Sequence, residues 1–231
     1  MFGLPKEVVI YDIECTTWEG AAARDWSGQG EHRELVQLGA ALVETDHFAE
    51  KAAFSMLAKP RINPVLSDYF INLTHINQRQ VNERGFDFAE VLKFFELFCK
   101  ERDLYTFDKV NTGRLFDLDV LIENCDLYGT EFPFKPGRFH NINEIFHRHG
   151  VTVKQSGATP EAFGLKIPAM PHNALNDVRG LIVGLRALRS KLLDKKIDLN
   201  MDIGLAHFDP KGEDDARHMT KELGDIEREI Q

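Results

Sequence analysis

The sequence predicts a mixed α/β domain: one sheet built from five strand candidates, with helices packed on its faces. Two observations carry this. The hydrophobic period changes from two residues to 3.6 near residue 68, and beyond that point helical and extended patterns alternate until the longest helical pattern closes the series. Length agrees, since 231 residues hold one domain of about 150–200 residues with an appendage.

The strands come first. Residues 7–13 (EVVIYDI), 34–44 (ELVQLGAALVE) and 52–58 (AAFSMLA) are β-rich runs separated by polar or glycine-rich connections. After KPRINP come the helical patterns LSDYFINLT and INQRQVNE, then FDFAEVLKFFELFCKE. In the last, Phe88, Val91, Leu92, Phe95 and Phe98 recur at three- and four-residue steps behind Asp87 as cap. LYTFDKV (104–110) is a fourth strand candidate. It leads through NTGRLF into a helix from about Asp117 to Tyr128, closed by Gly129. A short extended piece, RFHNI (138–142), precedes the helical NEIFHRHG. Residues 151–171 form a long Gly-, Pro- and Ser-containing loop of the kind associated with function or mobility, and it delivers the chain to HNALNDVRGLIVGLRALRSKLLDKK. Ala174, Val178, Leu181, Ile182, Leu185, Leu188 and Leu192 form its apolar face.

Composition excludes several classes. With 43% hydrophobic and 28% charged residues, and no run of roughly 18 apolar residues, the chain reads as a soluble protein with no membrane partner. No signal-peptide pattern opens it, so a cytoplasmic location is expected, the nucleus being the other candidate. Cys15, Cys99 and Cys125 lack zinc-finger spacing and read as small core residues. The net charge of −9 argues against a general nucleic-acid coat. Ten acids and four bases fall in residues 198–231, so six of those nine negative charges lie in an acidic C-terminal extension, which leaves residues 1–197 as the domain.

Three constellations carry chemistry. Asp12 and Glu14 lie on one face of the first strand, about 7 Å apart by strand rise, on the side of Val8 and Ile10. Two acids ending a buried strand repel unless a cation joins them, and oxygen ligands select Mg²⁺ or Mn²⁺. The alternative is that both acids have passed the strand end into solvent. In HNALND, a five-residue step turns about 500° on a helix, so His172 and Asp177 cannot share a helical face. Pro171 suggests instead that His172 leaves the loop and that the helix starts near Asn173, which puts Asp177 in the second turn. A surface Asp and a loop His is the plainer reading. In GRLFDLDVLIENC, Asp117 opens a helix, where an acid is common as a cap or dipole partner, and Asp119 is its rival.

Together, D-x-E on a first strand, an Asp opening a middle helix and H-x4-D opening a late helix resemble the DnaQ-like exonucleases of the DEDDh branch, over residues 7–190. The N-P-x-L-S, L-T-x-I and Q-x-x-V elements of residues 59–81 are similar to the subgroup with histone-mRNA and small-RNA trimming 3′ exonucleases and bacterial KapD, which favours RNA. The resemblance implies an RNase H-like fold and a 3′→5′ exonuclease that hydrolyses the terminal phosphodiester of single-stranded RNA or DNA 3′ ends, releasing nucleoside 5′-monophosphates. It implies two ions, Mg²⁺ or Mn²⁺. Asp12 would bridge them, Glu14 and Asp177 would hold the one that activates water, Asp117 would support the other, and His172 would be the general base.

By the same resemblance, Thr16 matches a position near the terminal sugar, and Leu73 and Thr74 match a segment flanking the terminal base, although a packed Leu and a helix-capping Thr explain that pair equally well. Trp18 and Trp26, in the loop after the first strand, suit either base stacking or lid packing. Cys15 and Gln37 depart from the family pattern, and the interval before Asp117 is long. The apolar residue ahead of Asp117 and its spacing to Leu121 favour it over Asp119. His140, His147 and His149 form no metal set with the acids and are expected at the surface or at helix ends. Trimming of DNA 3′ ends, or a non-catalytic adaptor on the same fold, are the competing functions.

Overall fold

The computed structural model describes residues 2–135, 137–166 and 172–194. Three antiparallel strands come first: β1 (Glu7–Cys15), β2 (Leu35–Glu44) and β3 (Ala49–Leu57). Three helices follow, α1 (Asp68–Thr74), α2 (Gln78–Arg84) and α3 (Phe88–Cys99). The chain then alternates β4 (Leu104–Thr106), α4 (Phe116–Tyr128), β5 (Phe139–Asn141), α5 (Asn143–Arg148) and α6 (Ala174–Leu192). The sheet order is β3-β2-β1-β4-β5, with β4 parallel to both β1 and β5, so the sheet is mixed and five-stranded as the sequence predicts.

β1 is central and covered on both faces. Val9, Tyr11, Ile13 and Cys15 pack with Phe54 of β3, Phe95 of α3 and Leu121 of α4. Val8 and Ile10 pack on the other side with Phe146 of α5 and Val178, Leu181, Ile182 and Leu185 of α6. Full burial of each large apolar side chain contributes about 1.5–3 kcal/mol. A strand sandwiched in this way holds its register firmly, because a slip of one residue would turn every side chain to the wrong layer.

Local signals set the helix ends. Ser67 and Asn77 cap α1 and α2 by accepting the Phe70 and Gln80 N–H groups, and Asp87 with Glu90 forms a capping box at α3. Gly129 ends α4 in the left-handed region at φ 65°. The buried Glu34 carboxylate accepts the backbone N–H groups of Arg61 and Ile62 at 2.7 and 2.8 Å, which ties KPRINP to the sheet. The Ser67 hydroxyl donates to Thr17 O, so α1 starts beside the exit of β1. Cys15, Cys99 and Cys125 are buried free thiols.

Three expectations are corrected. β4 ends at Thr106, not near residue 110. Asp108 takes up the Phe116 N–H at 2.7 Å and Asn141 and Asn143 donate to Asp108 O, so the chain here folds into a turn that starts α4. Leu192 does not belong to the buried face of α6: it is 42% exposed, and the buried residues of the helix end at Leu188. Asp177 is in the first turn of α6, because the helix starts at Ala174. The expected extension of residues 198–231, and Pro171, lie outside the described residues. No described helix is long and apolar enough to cross a membrane.

Candidate active site

β1 runs through to Cys15, so Glu14 is part of the strand, and Asp12 and Glu14 pair with Gly39 and Gln37 of β2. These two β2 residues seat the start of α6. The Gln37 side-chain oxygen accepts the Ala174 N–H at 2.9 Å while its amide donates to Ser55 Oγ at 3.0 Å. That hydrogen bond satisfies one of the donors left free at the helix N-terminus, and Asn173 satisfies another by accepting the Asn176 N–H at 3.2 Å. Gln37 is thus a support for α6. At Gly39 a Cβ would meet Leu175 N at 2.4 Å and Ala174 C at 2.6 Å, backbone atoms that cannot turn aside. Gly39→Ala is therefore expected to lower the melting temperature by about 2–12 °C, for an overpacking cost of about 1–3 kcal/mol. Activity should fall with it as α6 is pushed from β1; thermal melts and initial rates check both.

α6 presents Asp177 to the end of β1, and His172 precedes the helix in a left-handed conformation, φ 59°. The His172 backbone amide lies close enough to the Asp177 carboxylate to lower its pKa. One ligand atom each from Glu14, His172 and Asp177 lie within 4.8 Å of one another. Asp117 arrives from another layer. It is buried in the first turn of α4, accepts the hydroxyl of Thr106 at the end of β4, and raises the pKa of both Asp12 and Glu14 by its charge. Asp119 turns outward to Arg114, with Nε and Oδ2 2.9 Å apart. The two candidates are thus separated in space: Asp117 joins the cluster and Asp119 does not.

The electrostatics of the cluster are those of crowded acids. Burial pushes Asp12 and Glu14 well above the usual carboxylate range, and repulsion from Asp117 and Asp177 adds to it. Asp117 and Asp177 are pushed up to about 7, burial again being the first cause. His172 is lowered, by burial and then by the charge of His75. Asp177 Oδ1 is buried with no hydrogen-bond partner. Four crowded carboxylates, one of them with a buried oxygen that has no partner, fit hard divalent cations, which prefer oxygen ligands and remove the repulsion.

Sequence reasoning missed the residues that hold this arrangement. Thr106, Gln37 and Gly39 act across the sheet, and Ser156 and Gly157 come from the long loop, where Ser156 Oγ lies 3.3 Å from Asp177 Oδ2. A cleft of about 520 Å³ opens there, lined by Lys109, Lys154, Ser156, Gly157, His172 and Asp177. The pairing partners of a strand and the loop packed on a helix leave no local signal. Glycines at 39 and 157, and at 180 and 184 on α6, hint at the close approach.

The expected substrate contacts are placed less uniformly. Thr16 is buried; its hydroxyl donates to His32 O and accepts the Glu34 N–H, and its carbonyl accepts the Trp26 indole N–H at 3.0 Å. Trp26 packs on Phe116 and Arg33, so the lid-packing alternative holds for it. Trp18 is partly exposed near the end of β1. Thr74 is buried, donating to Phe70 O and accepting the Ile76 N–H, which is the helix-end role, while Leu73 is half-buried. His140 lies against Tyr105 and Asp103, and His147 and His149 stand at the end of α5, all outside the acidic cluster.

A family model described as Exonuclease (RNase_T) matches residues 9–182. The chain is 26% identical over 180 residues to 3′-5′ exoribonuclease 1 of Rattus norvegicus, a stretch that is 75% of this chain and 50% of the relative. The chain thus spans about half the length of the curated relatives it matches. Among solved structures it resembles the nuclease domain of 3′hExo, a DEDDh family member, bound to rAMP, with TM-score 0.62 and 23% identity over 84% of this chain and 96% of that one. It also resembles S. pombe Pop2p in its Mg²⁺- and Mn²⁺-bound form, with TM-score 0.56 and 15% identity over 84% of this chain and 87% of the other.

Proposed function

The chain belongs to the RNase_T exonuclease family, and on that premise we propose that it removes nucleoside 5′-monophosphates one at a time from the 3′ ends of single-stranded RNA. The observation that carries this reading is the meeting of Asp12, Glu14, Asp117, Asp177 and His172 at the end of β1. RNA is preferred over DNA on the strength of the exoribonuclease relative and of the rAMP-bound neighbour.

Asp12, Glu14, Asp117 and Asp177 would hold two Mg²⁺ or Mn²⁺ ions, which supply positive charge for the attacking and leaving oxygens of a phosphoryl displacement. The chain's own part is to position and to move a proton. His172, on the loop side of α6, takes the proton of the attacking water. Its lowered pKa keeps the imidazole neutral and able to accept at pH 7. The His172 backbone amide, which lowers the Asp177 pKa, sets base and carboxylate side by side. Leu73 and Trp18, both partly exposed, are the proposed contacts to the terminal nucleotide, with Thr16 and Thr74 shaping the walls behind them.

The test uses 3′- and 5′-labelled single-stranded RNA and DNA of matched sequence with Mg²⁺, Mn²⁺ or EDTA. Metal-dependent release of mononucleotides from the 3′ end, faster on RNA, is expected. Faster DNA degradation would reassign the substrate, and no release under any metal would refute the reading. In the same assay His172→Asn should lose about 10²–10⁴-fold in rate, the usual contribution of a general base, whereas Asp119→Asn should stay close to wild type. Equal losses for the two variants would remove His172 from its role.

A further inference from the structure

The loop after α5 packs along α6 where that helix carries glycines in place of side chains. A Cβ at Gly180 would lie 3.0 Å from Gly157 O, and one at Gly184 would lie 2.1 Å from Thr159 Cγ2. The loop is closed on itself as well. The Thr159 N–H and hydroxyl both donate to Ser156 O, so the 156–159 turn reaches α6 as a unit.

Docking brings the first two residues of that turn onto the two oxygens of Asp177. Ser156 Oγ donates to Oδ2 at 3.3 Å. Gly157 faces Oδ1, where a Cβ would stand 2.2 Å away, and Oδ1 is the buried oxygen that has no hydrogen-bond partner. One oxygen is therefore held by a hydroxyl, and the other is left bare by a missing side chain. A buried carboxylate oxygen without a partner costs free energy unless a cation or a proton meets it.

We propose that Ser156 and Gly157 are positioning residues that fix the rotamer of Asp177 and keep its Oδ1 free to ligate a divalent cation. This rests on the metal-binding reading of the site given above. Neither residue touches the reacting atoms: Gly157 acts through Asp177, and the Ser156 hydroxyl acts on Asp177 and on Asp12, whose pKa it also lowers. Any side chain at position 157 must displace the carboxylate or lift the loop from Gly180. Loss of the Ser156 hydroxyl leaves the carboxylate free to rotate, with little change in packing.

The experiment is a Mn²⁺ titration by calorimetry on the full chain, comparing wild type, Ser156→Ala, Ser156→Thr and Gly157→Ala, with a melt of each metal-free protein alongside. Residues that orient a ligand typically contribute about 10–100-fold to metal affinity. Gly157→Ala and Ser156→Ala are expected to weaken Mn²⁺ binding within that range, Ser156→Thr to restore it, and the metal-free melting temperature of Ser156→Ala to stay at the wild-type value. The Mn²⁺ concentration for half-maximal nucleotide release should rise in parallel, with kcat recovered at saturation. If Gly157→Ala fails to fold, Ser156→Ala decides. Wild-type affinity in Ser156→Ala overturns the inference while the metal site stands. Absence of Mn²⁺ binding by the wild type removes the site reading and this inference with it.

Discussion

Replacing Asp12 by Asn is expected to reduce nucleotide release by about 10³-fold or more and, at the same time, to raise the melting temperature of the metal-free protein. The first effect follows from position. Asp12 is buried on β1, and Asp117, Asp177 and Glu14 all act on it electrostatically, so it is the acid at the centre of the cluster. Removing one preorganised electrostatic group from such a site costs about 10²–10³-fold in kcat, and a central cation ligand should cost at least the upper figure. The second effect has the opposite sign because the same charge is a burden without metal. Asparagine keeps the shape and removes a buried acid whose folded-state pKa is raised by burial and then by its acidic neighbours, and with it the cost of burying that acid at pH 8. A gain of about 1–2 kcal/mol corresponds to roughly 2–8 °C for a domain of this size. Rate assays with Mg²⁺ and calorimetric melts in EDTA at pH 8 check the two halves. An Asp12→Asn protein that melts below wild type in EDTA would show that repulsion does not dominate the empty cluster.

The second expectation concerns pH. Asp117 and Asp177 are pushed up to about 7 in the folded chain against an ordinary value of 3.8, and Asp12 and Glu14 are raised in the same direction. The folded state therefore binds more protons than the unfolded state between those limits, so stability falls as pH rises through the window. The favourable contribution is fully present below the unfolded pKa and lost as pH passes about 7. In EDTA the melting temperature should decline from pH 5 to pH 8. Divalent cations reverse this, because they need the ionised carboxylates. At a hundred times its dissociation constant, a ligand adds about 2.7 kcal/mol, or roughly 5–11 °C here. Melts across pH with and without saturating Mn²⁺ should diverge most above pH 7. A metal-free protein that grows more stable from pH 5 to 8 would contradict the raised pKa values.

Much of this was legible in the chain itself. The period of EVVIYDI gives a buried strand, and the same period puts Asp12 and Glu14 on one side of it. Asp87 before FAEV and Gly129 after ENCDLY mark helix ends by local hydrogen bonding and backbone conformation, which is why α3 and α4 lie where the sequence places them. Where the local pattern misleads, a distant partner is responsible. LYTFDKV continues as an extended pattern, yet Asp108 is drawn off to cap α4. Leu192 keeps the apolar spacing of α6 beyond Leu188, where burial of the helix ends.

By itself, then, the sequence determined the sheet-and-helix plan and brought forward Asp12, Glu14, His172 and Asp177, with Asp117 favoured over Asp119, because periodicity, caps and short motifs are properties of neighbouring residues. The tertiary structure alone decided that Asp117 and not Asp119 reaches the cluster. It also decided that Gln37 and Gly39 seat α6, and that Ser156 and Gly157 leave one oxygen of Asp177 bare. Those outcomes depend on which segments meet across the core, and residues far apart in sequence carry no local trace of where packing will bring them.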